Sequence, residues 1–242
     1  MIWVVGATAL AAGLLVGLTG IGGVLLVPVL TGVAGVPLEH AIAACMPALL
    51  LAGLYAAFVH LRRVRLPARP LSALCLAAAA GAALGAATLD RLPDTGVRLF
   101  VAALALASGA HALLAPPVAG GRVPGAAPLA FLGLAVGYGS AISGTGGPVM
   151  LIPILLALRT PVREAIALGV AAGLPITVAA STVYGAAGRI DIHLALTLAA
   201  LLIAGTWAGA RLSARFSGRA LTAAVAWTLV GVGAWFAYAS LR

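Results

Sequence analysis

The chain has 242 residues, of which 63% are hydrophobic and only 8% are charged, and its formal net charge at neutral pH is +9. Soluble domains contain about 45–50% apolar and about 25% charged residues, so this composition excludes a water-soluble fold. The positive charge comes from 14 arginines set against five acidic residues, and it does not form the basic patch that nucleic-acid binding requires.

Ten uncharged apolar runs follow one another along the chain, separated by charges, prolines or glycines. Inside a bilayer every backbone N–H and C=O group must be paired within the protein, and these runs are too long for the strands of a β-barrel. The sequence therefore predicts an all-α membrane protein, a polytopic bundle of helices. We expect the first run to be a retained helix, because no basic segment precedes it. The runs lie near residues 2–19, 22–36, 41–59, 71–89, 99–115, 127–142, 147–158, 165–184, 192–210 and 220–241.

The second and seventh runs are short for a bilayer core of about 30 Å, and each follows a glycine cluster. The clusters are residues 17–23, GLTGIGG, and residues 140–148, SAISGTGGP. Glycine costs about 1 kcal/mol relative to alanine in a helix, so neighbouring glycines favour an unwound stretch. We therefore expect a short broken or re-entrant helix at each cluster.

The sequence repeats at an offset of 124 residues. Ordered Gly-x-Gly-Gly and proline matches do not readily arise by chance, so they predict a duplication. The first repeat is expected over residues 1–115 and the second over 127–242, joined by a loop at 116–126. Five segments is an odd number, so the second repeat should be inverted relative to the first. Gly20, Gly22 and Gly23 match Gly144, Gly146 and Gly147, Pro37 matches Pro161, and Gly81 and Gly85 match Gly205 and Gly209.

Arginine placement distinguishes between topologies, since cytoplasmic loops are enriched in Lys and Arg. With ten crossings, one side of the membrane collects ten arginines and the other side four. If each short run is fused with its predecessor to give eight crossings, each side has seven. The bias favours ten crossings, with the loops 60–70 and 211–219 in the cytoplasm and both chain ends outside. Re-entrant hairpins would give the same tally as full crossings.

The glycine clusters also predict a binding site. A helix N-terminus inside a bilayer presents unpaired N–H groups and a partial positive charge, and broken helices at matching points of inverted halves indicate the central site of a transporter. Two such termini facing each other suit a small anion. The candidate substrate-binding residues are Thr19, Gly20, Gly22, Gly23, Ser140, Ser143, Gly144, Thr145, Gly146 and Gly147.

A simpler interpretation is that the glycines only let helices pack closely. We favour this packing role for the GxxxG pairs Gly81/Gly85 and Gly205/Gly209, and we expect Gly85→Ala to be mild. Adjacent glycines are not explained by packing on one helix face, so the binding role is favoured for the two clusters.

Chemistry-bearing motifs are absent from the sequence. No charged residue lies within a predicted segment, and there is no P-loop, HExxH or Ser/His/Asp pattern. Cys45 and Cys75 lie in apolar runs without metal or redox spacing, which predicts small buried side chains. We therefore expect no enzymatic activity, no catalytic residues, no metal and no cofactor.

Over nearly its whole length the chain resembles the TauE/SafE sulfite exporter family. The resemblance rests on two halves that each open with a G-x-G-G element and a later proline, Gly20 to Pro28 and Gly144 to Pro153, and continue to an Ala-Ile-Ala stretch and a GxxxG helix. It implies a permease for sulfite or another small organosulfur anion, multi-pass in the plasma or inner membrane, working by alternating access. An anion channel that uses the same glycine loops as a filter is the alternative. The expected partners are the small anion and the lipid bilayer, without nucleic acid, and a homodimer stays open.

Overall fold

The computed structural model describes residues 2–62, 64–114 and 121–212, with residues 227, 230, 231, 234, 237 and 238 further on. Within these ranges the chain forms α-helices and two single turns of 3-10 helix, Gly23–Leu25 and Leu89–Arg91, and no strand. The helices are α1 (Ile2–Thr19), α2 (Leu26–Gly32), α3 (Leu38–Leu61), α4 (Ala68–Thr88), α5 (Asp94–Leu114), α6 (Ala126–Ser143), α7 (Pro148–Ala157), α8 (Val162–Ala186) and α9 (Ile192–Leu212).

This architecture confirms the all-α membrane fold. Five of the described helical stretches are long and apolar enough to cross a membrane: Leu38–Leu61, Ala68–Arg91, Ala126–Ser143, Val162–Ala186 and Ile192–Leu212. The short second and seventh segments are present as α2 and α7, which span only about 10 Å and about 15 Å at 1.5 Å per residue. Most of the tenth predicted segment, 220–241, lies outside the described residues.

α4 and α5 begin three and five residues before the predicted segments, and α3 and α8 each begin three residues before them. Pro37 and Pro161 occupy the N-cap positions of α3 and α8, where a missing N–H costs nothing because a helix start leaves it unpaired. Glu39 and Glu164 then lie in the first turns, where a carboxylate is stabilised by the positive end of the helix dipole. The predicted segments were started after the nearest charged residue, so they missed the first turn of these helices.

Helices of the first half of the chain pack against helices of the second half. α1 packs along α9 and α4 along α6, and each pair runs parallel because contact positions rise together along both helices. A Cβ built at one helix's glycine would meet the partner's backbone, and the contacts recur at the offset of 124. These contacts are Gly13 on Leu202 with Gly137 on Ala78, Gly205 on Leu10 with Gly81 on Leu134, and Gly209 on Leu14 with Gly85 on Tyr138.

The GxxxG glycines thus have the packing role that the sequence indicated. The close packing argues against the mild effect expected of Gly85→Ala, however. An added Cβ would lie 2.5 Å from the carbonyl oxygen of Tyr138, and backbone cannot move aside as a side-chain tip can. Cys45 is a free, buried thiol as expected, whereas Cys75 is only half-buried, with Sγ 3.7 Å from the carbonyl oxygen of Ala171.

At the centre of the bundle α3 and α8 run antiparallel. His40, in the first turn of α3, has its Nδ1 3.0 Å from the carbonyl oxygen of Arg189, just beyond α8. At the other end Leu61 and Ile166 pack against one small cluster. Eight crossings would make these two helices parallel, so their sense is the one that ten crossings require. The orientation of the two halves in a bilayer stays a prediction.

Two faces of the molecule are named from this pair of helices. The face at which α3 ends and α8 begins is called the arginine-rich face, and the other is called the opposite face. Four arginines of the loops and helix ends of the arginine-rich face are Arg62, Arg65, Arg159 and Arg163.

Candidate functional site

The first glycine cluster reverses the chain after α1. The Thr19 hydroxyl donates to the carbonyl oxygen of Leu15 at 3.0 Å and accepts from the N–H of Ile21 at 3.3 Å. Gly20 then takes a φ of +79°, which only glycine adopts without strain. Gly22 packs so closely on the backbone of Ala12 that no side chain fits. The chain therefore turns back along the helix that it has just left.

The second cluster makes the corresponding reversal after α6. Gly144, with a φ of +72°, caps α6 by donating its N–H to the carbonyl oxygen of Ser140. Gly146 and Gly147 have φ values of +78° and +109°, and Pro148 is the first residue of α7. Positive φ at all three positions explains why this stretch is glycine rather than alanine.

The chain reversals at residues 17–23 and 140–148, called the two breaks below, meet each other inside the bundle. A Cβ built at Gly23 would lie 2.7 Å from the carbonyl oxygen of Thr145, so the backbones touch without room for a side chain. Beside this contact lies a small cavity that is partly open. Its lining comes from the breaks (Gly20, Gly23, Thr145, Gly146, Pro148), from α1 (Val16), from α3 (Leu49, Gly53, Ala56) and from α8 (Val170, Gly173, Thr177).

The predicted site residues divide between the cavity and the layer behind it. Gly20, Gly23, Thr145 and Gly146 line the cavity. The others shape the two reversals from behind, including Ser143, whose hydroxyl lies 2.9 Å from that of Thr145. The residues of this second group are Thr19, Gly22, Ser140, Ser143, Gly144 and Gly147.

Several backbone amides of the two glycine clusters have no acceptor among the described residues. The N–H groups of Gly22, Gly23, Gly146 and Gly147 form no hydrogen bond with another described residue. An unpaired N–H away from water is costly, and an anion is a strong acceptor for it. The start of α7 adds the positive end of its dipole.

The cavity lining contains no charged side chain. Thr177 Oγ1 donates to the carbonyl oxygen of Gly173 at 2.8 Å, within its own helix. Its Cγ2 lies 3.6 Å from where a Cβ on Gly146 would be, so its methyl group faces this break. The electrostatic field in the cavity therefore comes mainly from peptide dipoles.

The lining residues of α3 and α8 carry only weak signals in the sequence. Small residues such as Gly53 and Gly173 in a long apolar helix look like ordinary packing positions. The repeat offset could have indicated them, because Leu49 is equivalent to Gly173 and Gly53 to Thr177, and all four line the cavity.

Among the described residues, no three His, Cys, Asp or Glu side chains come together as a metal site would need. The helices and the central cavity together define a polytopic membrane protein whose two broken helices meet at its core.

The family model of the sulfite exporter TauE/SafE family matches residues 5–236. The chain belongs to this family, as its glycine motifs indicated, and is a multi-pass membrane transporter of the sulfite-exporter type with a small anionic substrate. No curated protein and no solved structure gives a significant match to the chain.

Proposed function

We propose that the chain carries sulfite or a small organosulfonate across the plasma or inner membrane by alternating access, holding the anion between the two glycine breaks. The observation that carries this proposal is the contact of the breaks, with Gly23 against the carbonyl of Thr145 and glycines of both breaks lining one cavity. Broken helices at matching points of two related halves are where secondary transporters bind their substrates.

The chemistry of the lining favours an anion held by neutral donors. Four glycine amides without a protein acceptor lie in the two breaks, and the lining offers no carboxylate for a cation. A site without arginine or lysine binds its anion through dipoles alone, so the anion can leave again at either face. Such release is what a carrier or exporter requires.

Gly53→Ala tests the cavity directly. The added methyl group would narrow the cavity, yet it meets only the flexible tip of Leu174, at 3.5 Å, so the fold accepts it. One methyl group in a binding pocket changes rates by about 10-fold or more. We therefore expect a loss of that order in counterflow of radiolabelled sulfite in proteoliposomes.

Gly6→Ala is the matched control, because its Cβ would meet only a Leu201 methyl at 4.0 Å, away from the cavity. We expect wild-type flux from it. Equal flux from both variants would contradict the site. Ohmic conductance without counterflow would show that the protein is a channel and not a carrier. Wild-type protein that transports none of sulfite, thiosulfate and short organosulfonates would overturn the proposed function.

A further inference from the structure

The position of the cavity is not symmetric between the two faces of the molecule. Its lining follows α3 as far as Ala56 and α8 as far as Val170, which leads from the breaks toward the arginine-rich face. The equivalent positions toward the opposite face are Ala180 and Met46, which are fully buried and outside the lining. The cavity therefore extends toward the arginine-rich face and stops short of the other.

A tyrosine fills the bundle on the side of the opposite face. Tyr184 is fully buried near the end of α8, and its hydroxyl donates to the carbonyl oxygen of Ala141 in α6 at 3.0 Å. At the offset of 124 its equivalent is His60, which is half-exposed at the end of α3. The opposite face thus has a large buried side chain that ties α8 to α6.

Arg189 joins three helix ends at the opposite face. Its guanidinium bonds the carboxylate of Asp90 and lies 4.0 Å from that of Glu39, while its carbonyl oxygen contacts the ring of His40. The hydrogen bond to Asp90 raises the pKa of the Arg189 guanidinium above its ordinary value. The start of α3, the end of α4 and the end of α8 are therefore held together.

The arginine-rich face has no matching arrangement at the equivalent positions. Arg189 corresponds to Arg65, and Glu39 corresponds to Arg163, so two arginines stand where the opposite face has an ion pair. Like charges do not attract, so these two equivalent positions do not form the ion pair.

We propose that Arg189, Asp90 and Glu39 form a latch that closes the opposite face over the cavity, so that this structure is the state open toward the arginine-rich face. The cavity lies between α3 and α8, and opening it to the opposite face requires the start of α3 to part from the end of α8. That movement breaks the latch. This inference rests on the proposed transport function.

A thiol reporter in the cavity tests the latch. Gly53→Cys, in a background with Cys45→Ala and Cys75→Ala, places a thiol on the lining. The probe is the membrane-impermeant reagent (2-sulfonatoethyl) methanethiosulfonate, added from one side of oriented vesicles. With the latch intact we expect faster labelling from the arginine-rich face.

Arg189→Gln should then raise the labelling rate from the opposite face by roughly two- to five-fold, the range expected for a partly exposed ion pair. Arg91→Gln is the control, since Arg91 is exposed at the same face and forms no ion pair among the described residues. Arg189→Lys keeps the positive charge beside both carboxylates and should keep labelling from the opposite face slow, which a packing role of the guanidinium would not predict.

Unchanged opposite-face labelling in Arg189→Gln, or fast labelling from that face with the latch intact, would overturn the latch. Labelling needs no transported substrate. If the wild-type protein transports no sulfur anion, the proposed function is wrong, but the labelling experiment still tests the latch.

Discussion

Glycine serves two physical purposes in this chain. At Gly144 and Gly146 it permits a left-handed backbone that reverses the chain, whereas at Gly81 and Gly85 it permits two helices to touch backbone to backbone. The sequence separates the two uses by spacing, since adjacent glycines mark the reversals and GxxxG marks the contacts. It does not show which glycines of a reversal face the cavity, because this depends on how the other half of the chain packs.

Gly146→Ala tests the site role of the second break at the residue scale. The φ of +78° strains any other residue by about 1–2 kcal/mol, and the new Cβ would lie 3.2 Å from Leu49 Cδ1 beside the cavity. We expect a large loss of sulfite counterflow together with a modest fall in melting temperature.

Gly35→Ala is the control for strain, because Gly35 has a similar φ of +69° with nothing within 4 Å of an added Cβ. It should lower the melting temperature by a similar amount and keep its flux. If both variants lost flux equally, backbone strain and not the site would explain the effect.

Helix pairing at the element scale follows from where small residues lie. The α1/α9 and α4/α6 pairs are built on glycines that the offset of 124 relates, so similar backbone contacts occur twice. The existence of the helices and of the two short ones could be predicted, because apolar runs and glycine clusters are local signals. The starts of α3 and α8 could not, because a proline cap followed by a first-turn glutamate extends a helix beyond its apolar run.

Gly85→Ala should destabilise the protein. In an open helix this change stabilises by up to about 1 kcal/mol, but here the Cβ would press on the carbonyl oxygen of Tyr138, and overpacking costs about 1–3 kcal/mol. We expect a lower melting temperature in detergent than for Gly53→Ala, which adds the same methyl group within a helix at a position with room. A Gly85→Ala protein as stable as the wild type would show that α4 and α6 are less closely packed than described.

At the scale of the whole molecule, the sequence predicted a duplication but not how its halves meet. The contact of Gly23 with Thr145 and the ion pair of Arg189 with Asp90 join residues about a hundred positions apart. No local pattern encodes such distances, and the repeat offset relates equivalent positions without saying which of them touch. The antiparallel sense of α3 and α8 supplies what the arginine tally lacked, namely a geometric reason for preferring ten crossings to eight.

Cysteine labelling decides the topology, using single cysteines at Arg65, Leu158 and Ala187 in the background with Cys45→Ala and Cys75→Ala. All three positions are exposed and lie in loops or at helix ends, so the fold should tolerate them. Ten crossings place Arg65→Cys and Leu158→Cys on one side and Ala187→Cys on the other, since α8 separates the last two. Eight crossings instead place Arg65→Cys with Ala187→Cys, because α6 and α7 would then form one span.

In intact cells we expect a membrane-impermeant maleimide to label Ala187→Cys at once and the other two only after permeabilisation, because the arginine-rich face should lie in the cytoplasm. If Leu158→Cys alone among the three is labelled at once, the result supports eight crossings. It would also conflict with the ion pair of Arg189 and Asp90, since these residues would then lie on different sides of the membrane. The ion pair and the arginine bias are independent observations, and a single arrangement of the chain satisfies both.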